Sequence, residues 1–174
     1  ATIILIDKEV DCPEGKALLV SDDPFRDFNK INEHYQGIQT FETTNQNLKI
    51  GENCKIHPSV IIGNDVTIGN NCMIFPNVVI GDRTVIGNNC IIQSGTVLGG
   101  DAFYYNKNAE GYRKMLSVGN VILEDHVEIG VNCSIDRGVT DSTIIKKGSK
   151  LDNLIQIGHD TVLGERTLVA SGAM

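Results

Sequence analysis

Ile62-Gly63-Asn64-Asp65-Val66-Thr67-Ile68-Gly69-Asn70-Asn71-Cys72-Met73-Ile74 is the stretch that decides the fold. A large aliphatic residue falls on every sixth position, and the spacing holds without a slip through Ile50, Ile56, Ile62, Ile68, Ile74, Ile80, Ile86, Ile92 and Leu98. Helices repeat near 3.6 residues and simple strands near 2, so a sustained period of six belongs to neither and marks a repeat architecture. A second column of small or β-branched residues follows each aliphatic by four positions: Cys54, Val60, Val66, Cys72, Val78, Thr84, Cys90 and Thr96. Between the columns lie Gly, Asn, Asp and Pro, which tolerate tight turns and the left-handed region. Each hexad therefore reads as a short strand and a corner. Three of them close a triangular coil, and coils stacked at the strand spacing of ~4.8 Å put like residues above like, with the aliphatic column inside.

The period also works as a ruler. It breaks after Leu98, resumes at Leu123, Ile129 and Ile135, skips ten residues to Ile145, and continues at Leu151, Ile157, Leu163 and Val169. Counting sides, Leu98, Ile135 and Ile157 all fall on the third side. The aromatic excursion from Gly99 to about residue 118, the four extra residues after Ile135, and His159 just beyond Ile157 are thus expected on one edge of the prism. His159 sits at an exposed corner, where an imidazole is either merely solvated or a base of near-neutral pKa.

Residues 1–47 follow another rule. Thr2–Ile6 and Ala17–Val20 read as short buried strands, and Asp23 with Pro24 reads as an N-cap and first helical residue. Phe28, Ile31 and Tyr35 then share one helix face. Gln36 to Asn47 reads as a polar linker. Phe25 and Phe28 suit either a small core or base stacking, and packing is the simpler reading.

Composition excludes several classes. A formal charge of −7 supplies no basic field to neutralise phosphates, so no nucleic-acid partner is expected. No apolar run approaches the ~20 residues of a membrane-spanning helix and no signal peptide opens the chain, which makes a cytoplasmic protein the default expectation. Cys54, Cys72 and Cys90 stand 18 residues apart, one coil each, and Cys133 holds the same place in its hexad, so they read as stacked core residues rather than zinc ligands or disulfides. His57, His126 and His159 form no close pair, and no metal is expected. The start at Ala1 and the end at Met174, inside the hexad begun at Val169, suggest a fragment lacking both ends and inactive on its own.

Several strings carry a resemblance. Ile92-Gln93-Ser94-Gly95-Thr96-Val97-Leu98-Gly99-Gly100-Asp101-Ala102-Phe103-Tyr104-Tyr105, Ile135-Asp136-Arg137-Gly138, and Leu151-Asp152-Asn153 through Ile157-Gly158-His159, in that order, resemble the UDP-3-O-(3-hydroxyacyl)glucosamine N-acyltransferases of lipid A biosynthesis. The resemblance implies an all-β solenoid, a left-handed parallel β-helix of hexapeptide repeats over 48–174, with a partial α/β segment over 1–47. It implies a homotrimer with sites between subunits, a UDP-sugar acceptor, and acyl carrier protein as thioester donor, with no cofactor. His159 would be the general base, Asp152, Asn153 and Gln156 would orient substrate or imidazole, and Phe103 and Tyr105 would border the substrate or simply pack. Gly158 and Asp160 depart from the Ala and Asn commoner in that family. Lys146, Lys147 and Lys150, with Arg137 and Lys114, are the candidate basic surface for the acidic carrier protein, against the plainer reading of a solvated face. A sugar O-acyltransferase of the same fold, or a non-catalytic trimerising solenoid, stay open on the residues alone.

Overall fold

The computed structural model describes residues 3–36 and 45–173. The hexads form two- to four-residue strands arranged as three parallel sheets. The first face stacks the strands ending at Ile50, Ile68, Ile86, Leu123, Ile145 and Leu163. The second stacks those of Ile56, Ile74, Ile92, Ile129, Leu151 and Val169. The third stacks those of Ile62, Ile80, Leu98, Ile135 and Ile157, the register that counting the sequence predicts.

The two columns fill the interior. Ile80, Ile92, Leu98, Ile129, Ile135 and Ile145 have no accessible surface, and each such side chain contributes about 1.5–3 kcal/mol by leaving water. The cysteines stack among them as free thiols, and their Sγ atoms donate to main-chain carbonyls of the next coil: Cys72 to Gly87 at 3.1 Å, Cys90 to Glu124 at 3.2 Å and Cys133 to Asp152 at 3.1 Å. The contact with Cys72 and burial together push the Cys90 thiol up, so it stays protonated.

The corners explain the polar part of each hexad. Three residues after the aliphatic the chain turns left-handed, at Asn53, Asp65, Asn71, Asn77, Asn89, Asn132 and Asp160, with φ between 52° and 60°. Asn and Asp pay least there among side-chain-bearing residues. One position earlier, an Asn or Asp oxygen accepts an N–H from the preceding coil, as Asn70 does from Glu52 at 2.7 Å, Asp82 from Asn64 at 2.8 Å and Asp125 from Asn88 at 2.7 Å. The coils are thereby laced by side chains as well as by the sheets.

Residues 3–36 and 104–116 form a second compact unit. Its strands Ile3–Ile6 and Ala17–Val20 pair in parallel, and an α-helix spans Pro24–Gln36. Asp23 Oδ1 accepts the Arg26 N–H at 2.9 Å, as an N-cap should. The aromatic excursion forms a hairpin, Tyr105–Asn108 against Gly111–Lys114, and clusters with these elements rather than standing as a loop of the solenoid. Arg113 bridges to Asp23 at 2.6 Å and lies over the Phe25 ring at 5.6 Å, so Phe25 is used in packing. The strands and helix are half-exposed rather than buried as their apolar runs suggest, because so small a unit cannot enclose a core. Gln36 closes the helix; the remainder of the expected linker through residue 44 lies outside the described residues, and Asn45 to Asn47 already form a corner of the solenoid.

Candidate active site

The third corner, where face three passes to face one, departs from the regular pattern at successive coils. At Leu98 the ladder shifts register across Gly99, which takes φ 88° and lies so close to Gly81 that a Cβ would come within 3.3 Å of its Cα. A bulge at such a point re-aims the chain, and here it launches the excursion. One coil on, Asp136 to Asp141 make the widened corner. On the next coil the corner carries Gly158, His159 and Asp160.

The widened corner holds Asp160. Val139 N–H donates to both of its carboxylate oxygens at 3.1 Å, and Asp160 N–H donates to Thr143 Oγ1 at 2.9 Å. Gly138 has no room for a side chain, since a Cβ would collide with the Asp141 carbonyl and come within 2.7 Å of Asp160 Oδ1. The seated carboxylate then faces His159: Nδ1 and Asp160 Oδ2 are 2.8 Å apart. Ionised carboxylate only accepts, so the proton of the neutral imidazole is on Nδ1 and the lone pair is on Nε2. Partial burial opposes ionisation of Asp160, but the bonds from His159 and Val139 outweigh it and hold the carboxyl below its usual range.

Gln156 points outward from face three and donates from Nε2 to Asp136 Oδ2 at 2.9 Å. Asp136 is half-buried within electrostatic range of His159 and Asp101. Burial pushes its carboxyl up, with hydrogen bonds from Gln156 and Ser134 and the His159 charge acting the other way. His159, Gln156, Asp136 and Asp160 therefore share one edge. Asp136 and Asp160 are additions to the residues expected from sequence. A carboxylate directly after the histidine, in the left-handed position of its corner, was the signal for Asp160.

Asp152 and Asn153 lie elsewhere, at the second corner after Leu151. Asn153 Oδ1 accepts the Val131 N–H at 2.7 Å and so laces coils, whereas Asp152 Oδ1 accepts the N–H of its own neighbour Asn153 at 2.8 Å. Phe103 is 84% exposed beside the solenoid's bulge, whereas Tyr105 belongs to the hairpin of the other unit. His57, His126 and His159 occupy three different corners.

The expected basic surface is not assembled. Arg137 is 1% exposed; its Nε donates inward to the Gly99 carbonyl at 2.9 Å. Lys146 and Lys147 follow Ile145 at the first corner, and Lys150 stands on face two, 3.3 Å from Glu128. Lys114 is in the hairpin unit.

A family model for the bacterial transferase hexapeptide, six repeats, matches residues 47–80 and 65–100. The coils over residues 47–100 are similar to these repeats. Among relatives of this hexapeptide chain, the UDP-3-O-acylglucosamine N-acyltransferase of Porphyromonas gingivalis is 56% identical over 73 residues, 42% of this chain and 21% of that protein. The enzyme of the same name from Campylobacter jejuni subsp. doylei is 53% identical over 75 residues, 42% of this chain and 23% of that protein. The hexapeptide chain thus matches about a fifth of the length of these curated relatives. A solved structure, Francisella novicida UDP-N-acetylglucosamine acyltransferase, is 27% identical with a TM-score of 0.40, covering 68% of this chain and 44% of that one. Among the described residues, no helix is long and apolar enough to cross a membrane.

Proposed function

We propose that the protein is an N-acyltransferase of lipid A biosynthesis, moving a 3-hydroxyacyl chain from acyl carrier protein to the 2-amine of a UDP-3-O-acylglucosamine in the cytoplasm. The observation that carries the reading is the His159–Asp160 pair, 2.8 Å apart, with its carboxylate seated by the widened corner of the coil before. Relatives named for this activity support the substrates. The acceptor nitrogen attacks the thioester carbonyl, and His159 Nε2 takes a proton from it. Asp160 stabilises the imidazolium that forms, which then returns the proton to the departing thiolate. A positioned base of this kind contributes about 10²–10⁴-fold.

Gln156 orients substrate from the same edge, and Phe103 borders the acyl chain. Asp152 and Asn153 stand a corner away from His159 in their own chain, so in this reading they reach the site from a neighbouring subunit of a homotrimer. The outer side of face one supports such an assembly: Val85, Ile122, Ile144 and Val162 form an aliphatic column there, with Val162 56% exposed. The test is direct. The intact protein, given 3-hydroxyacyl-acyl carrier protein and UDP-3-O-acylglucosamine, should yield the amide and free carrier thiol; consumption of neither substrate would contradict the assignment.

A further inference from the structure

The active edge carries two proton acceptors of different kinds, and their number bears on the acceptor substrate. A sugar amine titrates near ~8, by analogy with an α-amino group, and at neutral pH it arrives largely as the ammonium ion. An ammonium must lose two protons to become an amide, R–NH₃⁺ + R′CO–SR″ → R′CO–NHR + R″SH + H⁺. A hydroxyl acceptor loses only one. His159 handles a single proton, taking it from the nucleophile and returning it to the thiolate. The remaining proton needs another base, and it must leave before attack, since an ammonium has no lone pair.

Building on the N-acyltransferase reading, we propose that Asp136 receives the acceptor as its ammonium and takes the first proton, making this edge selective for amine over hydroxyl nucleophiles. Asp136 sits one coil from His159 in the same sheet stack, where Ser134 pairs with Gln156 and Ile135 with Ile157. Gln156 Nε2 occupies one carboxylate oxygen at 2.9 Å and fixes the plane of the group. The other oxygen, Oδ1, lies along Gly100, where a Cβ would stand 3.3 Å away, so the glycine keeps its surroundings clear of a side chain. Arg137, the next residue, is turned inward to the Gly99 carbonyl and does not neutralise Asp136 from outside.

Half-burial makes the carboxyl a better proton acceptor than an exposed aspartate, because desolvation penalises its charge; Asp101 adds to the effect, while Gln156, Ser134 and His159 moderate it. The proton that Asp136 accepts passes to solvent once the amine has attacked. His159 and Asp160 then act on the neutral amine as they would on any nucleophile. The division of labour separates Asp136 from the general base: it matters only while the acceptor carries its extra proton.

The experiment compares Asp136→Asn with His159→Ala in the intact protein, using UDP-3-O-acylglucosamine and its 2-hydroxyl counterpart, UDP-3-O-acylglucose, across pH 6.5–9.5. Asp136→Asn should lower kcat/KM for the amine about 10²-fold near pH 7, recover most of it above the amine's own pKa, and leave slow transfer to the hydroxyl unchanged. An equal loss on both acceptors, a loss that high pH does not rescue, or no loss at all would overturn the role of Asp136. His159→Ala should abolish transfer to both acceptors at every pH. Full activity in that variant would instead overturn the underlying N-acyltransferase site, so the two failures are distinguishable. If Asp136→Asn lowers the melting temperature, Asp136→Ser, which also removes the carboxylate, repeats the comparison and must give the same amine-specific, pH-rescued loss.

Discussion

Asp160 presents its Oδ2 to His159 Nδ1 at 2.8 Å while both its carboxylate oxygens accept the Val139 N–H from the coil before. One carboxylate thus ties the orientation and tautomer of the imidazole to a corner four residues longer than its neighbours. Asp160→Asn keeps the shape but replaces the ionised acceptor. Transfer in the intact protein should then drop by about tenfold or more. Undiminished transfer in a folded variant would separate Asp160 from the base.

The same carboxylate sets an acid limit. Its folded-state pKa is depressed, so its contribution to stability is complete above the unfolded value of ~3.9 and is lost as pH falls through the folded one. Thermal unfolding followed from pH 6 to pH 2 should show the parent losing more stability over the acid part of that range than Asp160→Asn. Parallel curves would show that the carboxylate is not ion-stabilised in the fold.

Two glycines of this corner should behave oppositely. A Cβ on Gly138 meets the Asp141 carbonyl and Asp160 Oδ1, and Gly138→Ala should cost about 1–3 kcal/mol and disturb His159. A Cβ on Gly158 meets nothing within 4 Å, and its φ is not left-handed. Gly158→Ala should therefore be neutral or stabilise by about 0.4–1 kcal/mol. Denaturant unfolding of both variants gives the comparison, and similar losses would contradict it.

Arg137 illustrates what a linear reading conceals. A lone arginine in Ile135-Asp136-Arg137-Gly138 resembles a surface charge, yet it turns inward to the carbonyl of Gly99, 38 residues earlier. A non-local partner leaves no mark beside the residue that meets it. The hexads, by contrast, impose their structure locally, and counting them placed Leu98, Ile135 and Ile157 in one sheet. The same count puts Leu151 on face two, so the distance of Asp152 and Asn153 from His159 was legible in the period and was overridden by the family strings. The excursion's hairpin was not legible, because its packing with the N-terminal elements has no period at all.

Burial of Arg137 yields its own test. Arg137→Ala should lower stability by about 2–4 kcal/mol through the void and the lost bond to Gly99. A carrier-docking arginine would instead leave the melting temperature alone and raise the apparent KM for acyl carrier protein.

Placement of Asp152 one corner from His159 predicts complementation between subunits. Asp152→Ala and His159→Ala proteins should each be impaired alone, while mixed, refolded assemblies should regain activity from sites that pair an intact Asp152 with an intact His159. Ile122→Glu, on the aliphatic column of face one, should reduce the assembled mass in analytical ultracentrifugation. No recovery on mixing would place the whole site within one chain.

The central claim is that the third corner carries the base for acyl transfer, and His159→Ala in the intact protein tests it most directly. With 3-hydroxyacyl-acyl carrier protein and UDP-3-O-acylglucosamine, the variant should keep the parent's melting temperature and lose at least about 10²-fold in kcat. A folded His159→Ala protein that turns over at the parental rate would contradict the account.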